Sequence, residues 1–289
     1  MCIDAKGFYM DNFFLDDSNP IILDEYQNDN FIIKDTGAVT NNAIIFFSSN
    51  GIYTPNSVDA FIKRIKENDY YDWLVISKHR KICSYYKKIV FVRDIYKQWY
   101  VTGINNTVDS IDKMIEFLSN ELAGYNITTC GSSAGGYAAT ILGIKLGATR
   151  IINSCGQFNL YDRVDSDPLI AKYQFDNNRN KYYDIKKYLL GNEKGIYYLY
   201  PAYSKADVDQ NKYIKDVLVK RFVFNGNVHG QTVKKICYPF LLTMDNKKLD
   251  ELCKKYDGTI IDSYKFMLRY VPIIDVVKYI IHSKVKQRS

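Results

Sequence analysis

Residues 127–148 read ITTCGSSAGGYAATILGIKLGA. A short apolar run ends at a glycine, two serines follow, and Ala-Gly-Gly opens a segment whose apolar residues recur at helical spacing. At this corner Gly131 to Gly135 match the pattern G-x-S-x-G, with Ser133 at its centre. A strand that turns directly into a helix around such a serine is sharply bent, so the residues two positions to either side must be very small. The stretch therefore predicts a strand, a strained turn that exposes Ser133, and a helix.

The serine at the centre of this turn is the candidate nucleophile. Ser132 does not fit the pattern, because the residues two positions away from it are Cys130 and Ala134. The turn places the Ser133 hydroxyl near the start of the following helix, where the backbone N–H of Ala134 can stabilise an oxyanion. A serine hydroxyl is unreactive without a base, so the hypothesis also requires a histidine and an acid.

Two patterns alternate along the rest of the chain. Short runs rich in β-branched and aromatic residues predict strands that are buried on both faces. These runs begin at Phe31, Ala43, Trp73, Lys88, Ile127, Arg150, Ile196 and Arg221. Between most of them the apolar residues recur every three or four positions, which is typical of helices that cover a sheet. The alternation predicts an α/β fold with a mostly parallel, doubly wound sheet, and such sheets bind ligands at the carboxyl ends of their strands.

One segment interrupts the alternation. Residues 157–194 are polar and rich in tyrosine, with turn residues and one short helical pattern at residues 183–190. A connection of this length is unusual in a compact domain, so we interpret it as a functional insertion, a lid or substrate-binding cap. A surface excursion without function is the alternative. The 289 residues otherwise suit one α/β domain over residues 1–289, with the insertion inside it.

Three histidines are available as the base. His229 lies in the loop FNGNVHGQT directly after a predicted strand, and this position would deliver it to the carboxyl edge of the sheet. His79 precedes Ser133 in the chain, and His282 lies in an apolar helical pattern near the C-terminus. We therefore predict His229 as the base, with a surface-loop histidine as the alternative.

The acid is expected between Ser133 and His229 in the chain, because the order serine, acid, histidine accompanies this kind of turn. Asp207 and Asp209 both follow the predicted strand at residues 196–200. Asp207 is preferred because it lies nearer to the end of that strand. Asp209 is then expected to cap the next helix.

Composition restricts the other functions. No run of about 18 apolar residues exists, and acids interrupt the N-terminal stretch MCIDAKGFYMDNFFLDD, so we expect a cytoplasmic protein. The six cysteines form no C-x-x-C pair, which disfavours a metal site and favours free thiols. The net charge of +7 favours anionic partners such as acidic glycans, phosphate-bearing donors or a membrane surface. Dispersed basic residues and the lack of a nucleic-acid motif predict no nucleic-acid partner.

The turn at Ser133 and the loops of Asp207 and His229 resemble the α/β-hydrolase superfamily over residues 43–231. Within it the chain resembles serine enzymes found with bacterial capsule and O-antigen genes, including capsular polysaccharide O-acetyltransferases. The stretches behind this resemblance are FFSSNG, VRDIYKQWY, GSSAGGYAA and GQFNLYD. The sequence indicates no bound cofactor, and the positive charge makes acetyl-CoA a candidate co-substrate. The resemblance implies a second oxyanion donor in the loop after the strand at residue 43. We expect that donor to be the backbone N–H of Ser49 or Asn50.

Three further residues are candidates for substrate binding. In VFVRDIYKQWYVTGI, residues 90–104, Arg93 could hold a carboxylate or phosphate, and Trp99 or Tyr100 could present a ring face to a sugar. The alternative is an exposed Arg93–Asp94 patch beside a buried Trp99. Tyr137, in the helix after the turn, is the third candidate.

These observations favour a serine acyl-transfer enzyme, and the resemblance points to O-acetylation of a bacterial surface polysaccharide. The same residues would serve a carbohydrate or small-molecule esterase, and a non-catalytic glycan-binding or scaffold protein of this fold is a further alternative. The C-terminal stretch VPIIDVVKYIIHSKVKQRS also suggests peripheral attachment to the inner face of the membrane. A core-packing helix with a solvated basic tail is the alternative there. The sequence indicates no oligomeric state.

Overall fold

The computed structural model describes residues 19–192 and 195–286. Its centre is an eight-stranded sheet. The strands are β1 (Phe31–Asp35), β2 (Asn42–Phe47), β3 (Lys88–Val92), β4 (Asn126–Ser132), β5 (Arg150–Ser154), β6 (Ile196–Pro201), β7 (Lys220–Phe224) and β8 (Ile260–Ile261). Strands β1 to β7 coincide with predicted runs.

The strands lie in the order β1-β3-β2-β4-β5-β6-β7-β8. Strand β1 is antiparallel to β3, and all other neighbouring pairs are parallel. Parallel pairing brings the carboxyl ends of β2 to β8 to one edge of the sheet. The predicted α/β fold with a mostly parallel sheet is confirmed.

Helices cover the sheet on both faces. They are α1 (Pro20–Glu25), α2 (Val58–Phe61), α3 (Leu74–Ser77), α4 (Arg80–Tyr85), α5 (Ile111–Glu121), α6 (Ala134–Lys145), α7 (Pro168–Tyr173), α8 (Lys186–Leu189), α9 (Lys205–Tyr213), α10 (Tyr238–Thr243), α11 (Asn246–Lys255), α12 (Ser263–Tyr270) and α13 (Ile273–Lys286). A π-helical segment, Ile62–Glu67, continues α2.

The central strands are buried on both sides. In β2, Ile45 and Phe47 belong to the core that α5 and α6 cover. Ile44 and Phe46 belong to the core on the opposite face, which contains residues of α4 and α10 to α12. Side chains alternate between the faces of a strand, so a strand with helices on both sides is apolar at every position.

The predicted strand at Trp73 is wrong. Leu74–Ser77 form the short helix α3, and Trp73 has a left-handed backbone with φ of 74°. Val75 is exposed while Ile76 is buried. A run of four apolar residues is too short for its periodicity to separate a strand from one helical turn. Strand β8 has two residues and gives no recognisable pattern.

The insertion at residues 157–194 connects β5 to β6 and contains α7 and α8. Several of its apolar residues are part of the main core, namely Phe158, Leu160, Ile170, Tyr182, Tyr183, Ile185 and Leu189. Residues 193 and 194 lie outside the described residues. The described part of the insertion is therefore anchored in the core.

The C-terminal helix α13 is only partly buried. Val276 is buried in the core, whereas Ile273, Ile274, Val277 and Ile281 are exposed. Within the described residues, no helix combines the length and the apolar character that crossing a membrane requires. The N-terminal stretch with its interrupting acids, and Cys2 within it, lie outside the described residues. The five cysteines from Cys83 to Cys253 are free thiols.

Candidate active site

Ser133 occupies the sharp turn between β4 and α6. Its backbone has φ of 54° and ψ of −123°, a conformation that L-residues rarely adopt. A Cβ on Gly131 would lie 2.0 Å from the carbonyl oxygen of Gly135, and a Cβ on Gly135 would lie 2.3 Å from the carbonyl oxygen of Phe47. Because both obstacles are backbone atoms, the two flanking positions accept only glycine.

His229 reaches this turn from the loop after β7. Its Nε2 lies 2.9 Å from Ser133 Oγ. The loop is attached to the sheet edge, since Thr232 Oγ1 lies 3.0 Å from Ser154 Oγ at the end of β5. The side chain of His229 is 27% exposed, so the imidazole is partly accessible to solvent.

Asp207 completes the group from the first turn of α9. Its Oδ1 and Oδ2 lie 2.9 and 3.1 Å from His229 Nδ1. The Ser204 hydroxyl donates a hydrogen bond of 2.5 Å to Oδ2. Asp207 is 1% exposed, so these two partners bind a carboxylate that is buried from solvent. The structure thus brings Ser133, His229 and Asp207 into one hydrogen-bonded chain.

The other candidates for base and acid lie elsewhere. Asp209 is part of α9 and forms ion pairs with Lys205 and Lys212. The prediction that it caps a helix is wrong, because α9 already begins at Lys205, so Asp209 falls in its second turn. His79 caps α4 by accepting a hydrogen bond from the backbone N–H of Lys81. The side chain of His282 lies outside the described residues.

Cys155 adjoins the acid and the base. Its Sγ, a carboxylate oxygen of Asp207 and a ring nitrogen of His229 lie within 4.8 Å of one another. These are atoms that can ligate a metal ion, but burial raises the pKa of Cys155 well above that of an ordinary thiol. A neutral thiol is a poor metal ligand. Cys155 therefore lies beside Asp207 as a buried thiol, with its Sγ within 4.8 Å of the carboxylate.

Sequence reasoning missed Ser204 and Cys155. A signal for Ser204 was present, because Ser204-Lys-Ala-Asp207 matches the S-x-x-[DE] pattern of a helix N-terminus. That pattern would have begun α9 at Lys205 and placed Asp207 in its first turn. No local pattern points to Cys155, which reaches Asp207 across the carboxyl edge of the sheet from the end of β5.

The predicted oxyanion donors differ in availability. In the described residues, the N–H of Ala134 at the start of α6 has no hydrogen-bond acceptor. The N–H of Ser49 donates to the carboxylate of Asp72 at 2.9 Å, so the prediction for Ser49 is wrong. The neighbouring N–H of Asn50 has no acceptor within the same part of the chain. Ala134 and Asn50 therefore remain the two candidate donors.

Arg93 does not bind substrate in this geometry, contrary to the prediction. Its guanidinium is buried, lies 3.1 Å from Glu25 and 2.8 Å from Asp69, and donates from Nε to Asn30. The guanidinium also lies over the ring of Tyr71. The alternative of an exposed Arg93–Asp94 patch is wrong too, because Asp94 is 3% exposed. Arg93 connects α1 to the end of β3.

Trp99 and Tyr137 are likewise buried. The indole N–H of Trp99 donates to the side chain of Gln157 at 2.8 Å. The hydroxyl of Tyr137 donates to the carbonyl oxygen of Tyr182 at 2.7 Å. With 5% and 0% of their surfaces exposed, neither residue can bind substrate in this geometry, so both predictions are wrong, whereas the alternative of a buried Trp99 is confirmed. Tyr100, the other aromatic candidate, is fully buried as well. Instead, Trp99 and Tyr137 each anchor the insertion to the neighbourhood of the turn.

Comparison with known proteins gives structural likeness alone. No family model matches the chain, and no curated protein matches its sequence. The capsule O-acetyltransferase of Neisseria meningitidis serogroup A is similar, with a TM-score of 0.50 and 14% identity over 78% of this chain and 90% of that chain. A variant of the same enzyme in complex with CoA gives a TM-score of 0.46, with 15% identity over 77% and 90% of the two chains.

Esterase B from Lactobacillus rhamnosis is also similar, with a TM-score of 0.45 and 10% identity over 79% of this chain and 90% of that chain. Identities this low speak only to the fold. Two features of the structure support the assignment of the fold independently of these comparisons. They are the strand order, with its antiparallel first strand, and the serine turn between β4 and α6. The chain therefore has the α/β-hydrolase fold, and its structure is similar to that of the capsule O-acetyltransferase.

Proposed function

We propose that this chain is a serine acyl-transfer enzyme. Ser133 is the nucleophile, His229 is the general base and Asp207 orients the imidazole. The observation that carries the proposal is the continuous chain of contacts from Ser133 Oγ through His229 to Asp207, with 2.9 Å at each of its two steps. These are the distances that proton transfer between nucleophile and base requires.

The reaction begins when Ser133 Oγ attacks the carbonyl carbon of an ester or thioester. His229 Nε2 takes the hydroxyl proton, and Asp207 stabilises the imidazolium through Nδ1–H. The N–H groups of Ala134 and Asn50 are the donors proposed for the oxyanion. As the tetrahedral intermediate collapses, the carbon–oxygen or carbon–sulfur bond breaks and His229 returns the proton to the leaving group. The acyl group remains on Ser133 as an ester.

The second half-reaction decides the class of enzyme. A sugar hydroxyl that attacks the acyl-Ser133 carbonyl gives an O-acyltransferase, and water gives an esterase. We favour O-acetylation of a bacterial surface polysaccharide, with acetyl-CoA as donor and a cytoplasmic location. This choice is supported by the resemblance of the motifs and by the similar fold of a capsule O-acetyltransferase.

The insertion provides a reason to favour transfer over hydrolysis. It is attached to α9, which carries Asp207, because the amide of Gln210 donates to Asp162 and accepts from the backbone N–H of Phe158. The contacts of Trp99 and Tyr137 attach it near the turn as well. A segment anchored on both sides of the reacting groups can form a wall that limits the access of water to the acyl-enzyme.

Intact-mass spectrometry tests the proposal. Wild-type protein mixed with acetyl-CoA or with p-nitrophenyl acetate should gain one acetyl group, and Ser133→Ala should gain none. Ser132→Ala is the matched control, because it removes the adjacent hydroxyl, and it should react like wild type. Faster loss of the acetyl group with polysaccharide than with water would establish transfer, and loss at equal rates would favour the esterase.

If folded wild-type protein, with a cooperative melting transition, is acetylated by neither donor, the result would instead favour a non-catalytic binding protein.

A further inference from the structure

The C-terminal helices α12 and α13 expose an unusual amount of apolar surface. On α12, Tyr264 and Leu268 are one helical turn apart and both are more than half exposed. On α13 the exposed apolar residues follow one side of the helix, at spacings of three and four positions. They are Ile273 at 69%, Ile274 at 59%, Val277 at 44%, Ile280 at 40% and Ile281 at 59% exposure.

The opposite sides of α12 and α13 pack against the rest of the protein and hold the two helices in place. Phe266 and Met267 of α12, with Val276 of α13, are buried in the core that covers one face of the sheet. The helices are thus held by one side, and the apolar residues on the other side do not contribute to that core. A second apolar side on a helix that is already packed indicates a partner outside the described core.

The charge of the two helices distinguishes between two possible partners, a second copy of the chain and an anionic surface. From residue 263 to residue 286 the sequence contains five basic residues, Lys265, Arg269, Lys278, Lys284 and Lys286, and one acid, Asp275. Lys265, Arg269 and Lys278 are exposed, whereas Asp275 is half-buried. A second copy of the chain would bring two surfaces of the same positive charge together. An anionic surface is favoured instead.

We propose that α12 and α13 bind the surface of a membrane that contains anionic lipids. The exposed apolar residues enter the boundary between headgroups and acyl chains, and the basic side chains beside them meet the lipid phosphates. This is attachment in the plane of the surface, with helix α13 lying on the membrane. The proposal stands on these two helices alone and does not depend on the function proposed for Ser133.

The attachment surface is connected to the candidate active site. The hydroxyl of Ser263, the first residue of α12, donates to the carbonyl oxygen of Thr232 at 2.7 Å. Thr232 lies three residues after His229 and contacts Ser154 at the end of β5. A membrane bound by α12 and α13 would therefore adjoin the loop that carries His229.

Flotation of the full chain with lipid vesicles tests the proposal. Wild-type protein should float with vesicles of phosphatidylcholine containing about one third phosphatidylglycerol, and it should bind pure phosphatidylcholine at least about tenfold more weakly. Molar salt should weaken the binding, because it screens surface charges. The double variant Ile274→Gln with Ile281→Gln should not float. Val39→Gln is the matched apolar control, because it changes an exposed valine more than 200 residues before α12 in the sequence, and it should float like wild type.

The charges are tested with Lys265→Glu combined with Lys278→Glu, which should weaken binding to the anionic vesicles by more than about tenfold. Lys248→Glu, at an exposed position on α11, is the control and should leave binding nearly unchanged. Failure of the wild type to float, or equal flotation of the Ile274→Gln, Ile281→Gln double variant, would overturn the proposal. A dimer in light scattering that this double variant abolishes would also overturn it, because the surface would then join two copies.

Discussion

Replacing Asp207 by asparagine is the most informative single change at the candidate active site. Asparagine has nearly the same shape as aspartate, so packing around α9 is preserved while the charge is lost. One orientation of the amide would donate to His229 Nδ1, which forces the proton of the neutral imidazole onto Nε2. In that tautomer the imidazole can no longer accept the proton of Ser133. In the other orientation the tautomer is correct, but the imidazolium loses its counter-charge.

The size of the effect follows from the geometry. Unit charges 2.9 Å apart, the distance between His229 Nδ1 and Asp207 Oδ1, attract by about 6 kcal/mol at an effective dielectric constant of about 20. This attraction develops only when Ser133 gives its proton to His229, so its loss raises the barrier. At about 1.4 kcal/mol per tenfold, kcat should fall by roughly 10⁴. Asparagine at the acid of other serine triads has an effect of this size.

The assay is steady-state hydrolysis of p-nitrophenyl acetate, with circular dichroism melts of each variant. Asp209→Asn is the matched control, because it makes the same chemical change two residues later in the same helix. Asp209 forms only exposed ion pairs with Lys205 and Lys212, so kcat should stay within about twofold of wild type. An Asp207→Asn enzyme that keeps more than about a tenth of kcat, or an equal loss in Asp209→Asn, would refute the reasoning.

Three further predictions concern the turn, the partner of the acid and a buried lysine. Gly131→Ala should abolish soluble folded protein, because its Cβ would lie 2.0 Å from the carbonyl oxygen of Gly135; soluble yield and melting measure this, and a wild-type melting curve would contradict it. Ser204→Ala should lower the melting temperature by a few degrees, because a hydrogen bond to a buried carboxylate is worth about 1.5–3 kcal/mol of stability, and it should lower kcat about tenfold, because Asp207 loses the partner that holds it against His229; a loss of kcat of less than about twofold would count against it. Burial lowers the pKa of Lys97 to about 7, so above pH 7 the unfolded chain binds more protons than the folded chain, and the free energy of unfolding rises with pH. The melting temperature of wild type minus that of Lys97→Met should therefore increase from pH 7 to pH 9. A difference that does not change with pH would disprove this.

The sequence was informative where local constraints act. The turn at Ser133 could be predicted because backbone atoms exclude every side chain at Gly131 and Gly135, so the sequence itself carries the constraint. Strands buried on both faces leave continuous apolar runs, and seven of them were recognisable. The run at Trp73 misled because one turn of helix and one short strand look alike at this length.

The roles of polar and aromatic residues depend on distant segments, and there prediction failed. Arg93 is engaged by Glu25 and Asp69, which lie 68 and 24 residues away in the chain. Trp99 is engaged by Gln157 across 58 residues. A guanidinium at the end of a strand looks the same in sequence whether it faces a ligand or a buried carboxylate, because only the folded chain supplies the partner.

Covalent labelling with a fluorophosphonate, followed by peptide mapping, tests the central claim most directly, because this reagent reports an activated serine regardless of the natural acyl donor. We predict a single label on the peptide that contains Ser133, no label in Ser133→Ala, and labelling slowed by at least about a hundredfold in His229→Ala. Labelling of a different residue, or an unchanged rate in His229→Ala, would show that the serine, histidine and acid do not act together.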